Sequence, residues 1–83
     1  KNMWTKMEEL IEELLAIIED DTIPRNVKLK IESAIAALQE KTLEKSIRAN
    51  KALQQLDDLS DDPNIPSYIR PQLWNIMSQL ERH

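Results

Sequence analysis

The chain has 83 residues, 41% hydrophobic and 31% charged, with fifteen carboxylates against eleven bases for a net charge of −4. That suits one small soluble helical domain, since a chain this short buries only about 60–65% of its unfolded surface. Cysteine and glycine are both absent, which excludes disulfides, thiolate nucleophiles, sulfur-ligated zinc and the phosphate-cradling loops that need glycine for close backbone approach.

The first predicted helix covers 3–19. Met3, Trp4, Met7, Leu10, Ile11, Leu14, Leu15, Ile17 and Ile18 fall on an arc of roughly 160°, wider than the stripe of an ordinary surface helix. Glu8, Glu9, Glu12, Glu13, Glu19 and Asp20 fill the other side. So broad an apolar face is expected to touch two neighbours, or one neighbour and a partner chain. Pro24 disfavours helix at Ile23 and suits the start of a new one. A second helix therefore runs to about Glu40, with Val27, Ile31, Ala34, Ile35 and Leu38 inward and Leu29 pointing away.

Lys41-Thr42 is a short connection, with Thr42 as a weak N-cap. A third helix over 43–59 buries Ala49, Ala52, Leu53, Leu56 and Leu59; Ser46 and Ser60 lie at its edges and Ile47 off the stripe. The stretch 61–66 carries two prolines and breaks it. Ser67 is the expected N-cap of a last helix over 67–82, with Pro71 in its first turn. Its inward residues are Ile69, Leu73, Ile76, Met77 and Leu80, and Trp74 sits on the shoulder.

An internal echo organises these elements. Ile23-Pro24 returns 42 residues later as Ile65-Pro66, each after an acidic doublet. In register, Leu14 matches Leu56, Ile17 Leu59, Val27 Ile69, Ile31 Leu73, Ile35 Met77 and Leu38 Leu80. Asp20 with Lys28, and Asp62 with Arg70, recur alongside and suggest equivalent turn-to-helix ion pairs. A period of this size corresponds to one helix-turn-helix unit. The expected fold is thus all-α: one domain over 1–83, an antiparallel four-helix bundle built from hairpins 1–41 and 42–83, with both Ile-Pro turns at one end. A closed bundle is preferred to two stacked repeats, because solenoids need three or more.

Little in the chain serves chemistry. Asp57, Asp58, Asp61 and Asp62 are dense enough to suggest a calcium or magnesium site, but they lack the alternation, turn glycine and terminal glutamate of an EF-hand loop. They read as capping and solvated acids, so no metal or other cofactor is expected. His83, the single histidine, is terminal, and a catalytic base must be held in place. No catalytic residue is expected, and the protein reads as a non-enzyme. The negative charge disfavours nucleic acid; a nucleic-acid or ribosome-associated accessory protein using Lys28, Lys30, Lys45, Arg48 and Lys51 is one alternative, and a divalent-metal-binding protein another. No run of about 18 apolar residues and no leader is present, so neither a membrane span nor a signal peptide is expected and the cytoplasm is the default.

Met3, Trp4, Leu15, Leu29, Ile47 and Trp74 are the apolar residues that a minimal bundle core does not need. Tryptophan favours interface cores, so Trp4, Leu15 and Trp74 are the candidate interface, for an unknown protein partner or a second copy in a homodimer. The expected function is a non-catalytic protein–protein interaction or scaffold module.

The sequence also resembles a family of short, uncharacterised archaeal proteins. The resemblance rests on Ile18-Glu19-Asp20 with Pro24-Arg25-Asn26, on Asp62-Pro63-Asn64 with Pro66, on Trp74-Asn75-Ile76 and on Ser78-Gln79-Leu80-Glu81. It implies a compact all-helical fold in an archaeal cytoplasm and carries over no functional residue. Asp62-Pro63-Asn64-Ile65-Pro66 before Ile69-Arg70 is separately similar to the inter-helix turn of HEAT repeats, although the acid-to-arginine spacing is longer here and Pro71 interrupts the residues after it.

Overall fold

Four helices form: α1 (Met3–Ile18), α2 (Arg25–Leu38), α3 (Lys45–Ser60) and α4 (Arg70–Leu80). The computed structural model describes the backbone of residues 3–82 and the side chains of residues 7–82, and no strand occurs among the described residues. Helices adjacent in sequence pack against each other, with α2 and α3 paired most extensively. Their antiparallel register is fixed by two polar pairs: Asn26 donates to Asp62 at 3.2 Å, and Lys30 reaches Asp58 at 3.1 Å. Four residues forward on α2 are four back on α3. The extents of 32 × 22 × 21 Å describe a body about one helix long and two wide in both other directions, as in a bundle.

One apolar core runs through all four helices. Leu14, Val27, Ile31, Ala34, Ala49, Ala52, Leu56 and Leu73 are fully buried within it. Leu53 and Met77, expected inside, are only partly buried and pack at its margin, as do Ile11 and Ile18 of α1. Ile23 and Ile65, the isoleucines of the two Ile-Pro turns, are themselves core residues. Each turn is thus plugged into the end of the bundle as well as spanning it.

All three connections use one device. Helix C-termini usually close on a glycine with positive φ, but this chain has none, and no residue described adopts positive φ. Instead an acid follows each helix and its carboxylate receives the backbone N–H two residues on: Thr22 to Asp20 at 2.9 Å, Thr42 to Glu40 at 3.4 Å, Asn64 to Asp62 at 2.8 Å. The acid's carbonyl then accepts from the apolar residue at the next position, Ile23, Leu43 or Ile65, at 3.2–3.3 Å. This is the Asx-type turn, which lets a side chain replace a backbone partner. Pro24 and Glu44 precede α2 and α3 with nearly the same extended backbone, φ −59°, ψ 150° and φ −66°, ψ 155°. The turn therefore also recurs between the two Ile-Pro copies, where neither isoleucine nor proline marks it.

Two expected caps are corrected. Thr42 does not cap α3; its hydroxyl donates to Glu40 at 2.9 Å and the helix starts three residues later. Ser67 does not cap α4. Pro71 has no N–H, so the helical bond back to the Ser67 carbonyl cannot form. Residues 67–69 make a separate turn, closed by Ile69 N–H on the Pro66 carbonyl at 3.0 Å, and the regular helix begins at Arg70. Pro71 does lie in the first turn, where its missing donor costs nothing.

Candidate functional site

Two features stand out on this frame: a polar network at one end of the bundle, and a few large apolar side chains in solvent.

The network joins the α1–α2 turn to the α3–α4 turn, so the Ile-Pro turns do share one end. Tyr68 O–H donates to Asp20 Oδ2 in a short hydrogen bond. Thr22 donates to Asp20 Oδ1 at 2.7 Å and its hydroxyl lies 2.7 Å from that of Tyr68. Alongside, Asn26 binds Asp62. The hydrogen bonds from Tyr68 and from the Thr22 side chain and backbone, with Lys28 nearby, hold the Asp20 carboxyl below its ordinary value of 3.8. Each favours the charged form, and together they outweigh the desolvation that opposes it. A lowered folded pKa stabilises the fold above the unfolded value and is lost as pH falls through the folded one. Tyr68→Phe is therefore expected to be less stable than the parent in urea melts at neutral pH, with the gap closing well below 3.8. An equal gap at both pH values would show that the phenol acts by packing alone.

The expected ion pairs are resolved differently. Asp20 and Lys28 attract each other, but Arg70 reaches main-chain carbonyls, those of Ser60 at 2.6 Å and Asp62 at 3.0 Å. Arg48 does the same at the middle connection, donating from Nε to Leu43 at 2.8 Å and from a terminal nitrogen to Lys41 at 3.2 Å. Lys28, Arg48 and Arg70 each stand eight residues after a turn acid.

That corrects the basic set read from sequence. Arg48 is buried and spent on its turn, and Lys30 is engaged by Asp58. Nor do the acids converge: Asp58 answers Lys30, Asp62 answers Asn26 and Asn64, and among the described residues no three carboxylates or histidines gather as a metal site would need. His83 lies outside the described residues.

Of the candidate interface, Leu15 is 42% and Trp74 55% exposed, while the Trp4 side chain lies outside the described residues. Leu15 follows Ile11 by one turn, and Ile11 lines a cleft of about 460 Å³ shared by α1 and the end of α2. Trp74 follows Arg70 by one turn, and Arg70 binds the end of α3. Leu15 thus stands on the α2 side of α1, and Trp74 on the α3 side of α4. Leu29, Ile47 and Tyr68 are exposed as well.

The pattern of the uncharacterised protein family UPF0147 matches residues 1–82. The chain belongs to that family. A UPF0147 protein of Archaeoglobus fulgidus is 45% identical over 92% of this chain and 86% of its own length. One from Methanocaldococcus jannaschii, MJ1419, is 42% identical over 80% of this chain and 71% of its own length. The crystal structure of MMP1188, a protein of unknown function, superposes with a TM-score of 0.95 at 38% identity, covering 99% of this chain and 93% of that one. Within this UPF0147 chain, Asn26 and Asn64 bind Asp62 and Asp20 binds Thr22 and Tyr68 at the two-turn end, whereas the stretch from Trp74 to Glu81 runs along α4 and off its end. Among the described residues no helix is long and apolar enough to cross a membrane.

Proposed function

We propose that this UPF0147 protein is a non-catalytic protein–protein interaction module and that Trp74 anchors its partner. The exposure of Trp74 carries the reading. An indole that is 55% exposed leaves a large apolar surface in water on a domain whose core is already closed by Leu73, Ile76 and Leu80. Tryptophan is concentrated at the centres of interfaces, where its apolar body and N–H donor both find partners. Its neighbours Asn75 and Ser78 are exposed and polar, as the rim of such a contact would be. Arg48, Arg70, Asp20 and Asp62 are engaged at turns and Lys30 with Asp58 across α2 and α3, which gives the nucleic-acid and metal readings less to stand on.

A photo-crosslinking residue at Gln72, also exposed, is expected to capture a defined cellular protein, and a further Trp74→Ala change to abolish that capture in a chain with unchanged helicity. Identical capture with and without Trp74 would refute the assignment.

A further inference from the structure

The seam between α3 and α4 gathers the apolar surface around Trp74 into a strip. Asn26 and Lys30 of α2 bind Asp62 and Asp58, while Arg70 of α4 reaches the Ser60 carbonyl, so α2 and α4 flank α3 on opposite sides. At 100° per residue, the α4 flank of α3 carries Asn50, Leu53 and Asp57. On α4, Trp74, Met77 and Glu81 follow Arg70 by one, two and three turns and share its face. Counted away from the level of Ser60 and Arg70 at about 1.5 Å per residue, Asp57 and Trp74 stand at about 5–6 Å, Leu53 and Met77 together at about 10–11 Å, and Asn50 and Glu81 at about 15–17 Å. Leu53 and Met77 are half-buried against the core and Trp74 is exposed. An apolar patch thus lies between two exposed carboxylates about 12 Å apart along the helix axes.

The charges along this strip have one sign. Arg70 is spent on the carbonyls of Ser60 and Asp62, Arg48 is buried, and Lys51 lines a groove on the α2 side of α3. Lys45 stands about a turn beyond Glu81, and Arg82 about 100° round from it. Among the described residues no cation pairs with Asp57 or Glu81. The corresponding seam of α1 and α2 differs: Lys41 lines it beside Glu8 and Ile11, so its charge is mixed.

Resting on the reading of Trp74 as an anchor, we infer that the α3–α4 strip receives a basic amphipathic helix of another protein. Its apolar residues cover Trp74, Leu53 and Met77, and cations about two turns apart meet Asp57 and Glu81. Two turns rise about 11 Å, which matches the separation of the carboxylates. A helix laid by its apolar face along such a surface is an established mode of recognition, and the flanking charges select the partner and fix its register. With a net charge of −4, a second copy of the chain is repelled by this strip rather than drawn to it.

The probe is an alanine-rich helical peptide with two arginines about seven residues apart and a leucine pair midway between them on the same face. Titrated into the isotope-labelled chain, it is expected to bind with Kd below about 1 mM, moving the NMR signals of the Trp74 indole and of the Leu53 and Met77 amides. Asp57→Lys with Glu81→Lys is expected to raise Kd at least about tenfold and to admit the same peptide with glutamate in place of arginine. Trp74→Ala is expected to weaken binding as well, each variant keeping the helicity of the parent. Binding that needs Trp74 but ignores the charge reversal would overturn the basic partner and leave Trp74 as an anchor; binding that ignores Trp74 would overturn both. No binding up to about 1 mM, signals moved only on the Glu12 and Glu13 face of α1, or a dimer of the chain alone that the double reversal dissociates would also sink the assignment.

Discussion

Arg48→Ala is expected to destabilise the fold by about 2–4 kcal/mol, far more than removing any exposed cation. Arg48 is only 7% exposed and its guanidinium closes the α2–α3 connection from inside, on the carbonyls of Lys41 and Leu43. Truncation leaves those acceptors without their charged donor and opens space beneath the turn. A hydrogen bond from a charged donor contributes about 1.5–3 kcal/mol, and the buried stem of Arg48 adds its packing. Arg48→Lys should recover only part of the loss, because one ammonium cannot reproduce the planar fork that serves two separated carbonyls. Urea unfolding with an unchanged m-value reads the difference directly. A stability within about 0.5 kcal/mol of the parent, the scatter of ordinary surface changes, would show that the turn does not depend on this arginine.

The same residue shows how far the sequence could be read. Helical spacing placed Leu14, Val27, Ile31, Leu56 and Leu73 in the core, and all are fully buried. It also placed both Ile-Pro turns at one end, where Tyr68 now joins them. Periodicity works there because burial on one helix face is a repeated demand that many residues answer at once. It is silent on the turns, where single side chains do particular jobs. Ile23 and Ile65 were legible as part of an echo but not as core, since a turn has no helical period to assign them a face. Asp20 with Lys28 and Asp62 with Arg70 match by their place in the echo, while Glu40 with Arg48 escapes it because Leu43-Glu44 replaces Ile-Pro between them. The spacing of eight from acid to base was the available signal, and it ties Arg48 to its own turn rather than to a set of surface cations. At the candidate interface, exposure of Leu15 and Trp74 followed from their positions just off the core stripes. The flank each one occupies did not, since it depends on which way α2 and α3 fold around α1 and α4.

Leu56→Ala is expected to be the most damaging single apolar truncation on α3, at about 2–5 kcal/mol. Leu56 is fully buried in the common core, and the fully buried Ile31 and Ala52 belong to the same cluster. The α2–α3 pairing is the most extensive in the molecule, and it is held in register by Asn26–Asp62 and by Lys30–Asp58, the second of these within a turn of Leu56. Two helices so pinned have little freedom to collapse into the space the truncated side chain leaves, so the cavity term adds to the lost transfer energy. Against a total of about 5–15 kcal/mol for a small domain, that loss brings the chain close to unfolding at ambient temperature. Near the midpoint it corresponds to a drop of roughly 8–40 °C in Tm, taking about 4–8 °C per kcal/mol for a domain of this size. Leu29→Ala, the same change on the outer face of α2, is the internal control: it is expected to shift Tm by less than about 4 °C when measured at low protein concentration. Calorimetry of the pair decides the matter, and comparable losses at the two sites would mean that burial of Leu56 in the core is not what sets its contribution to the fold.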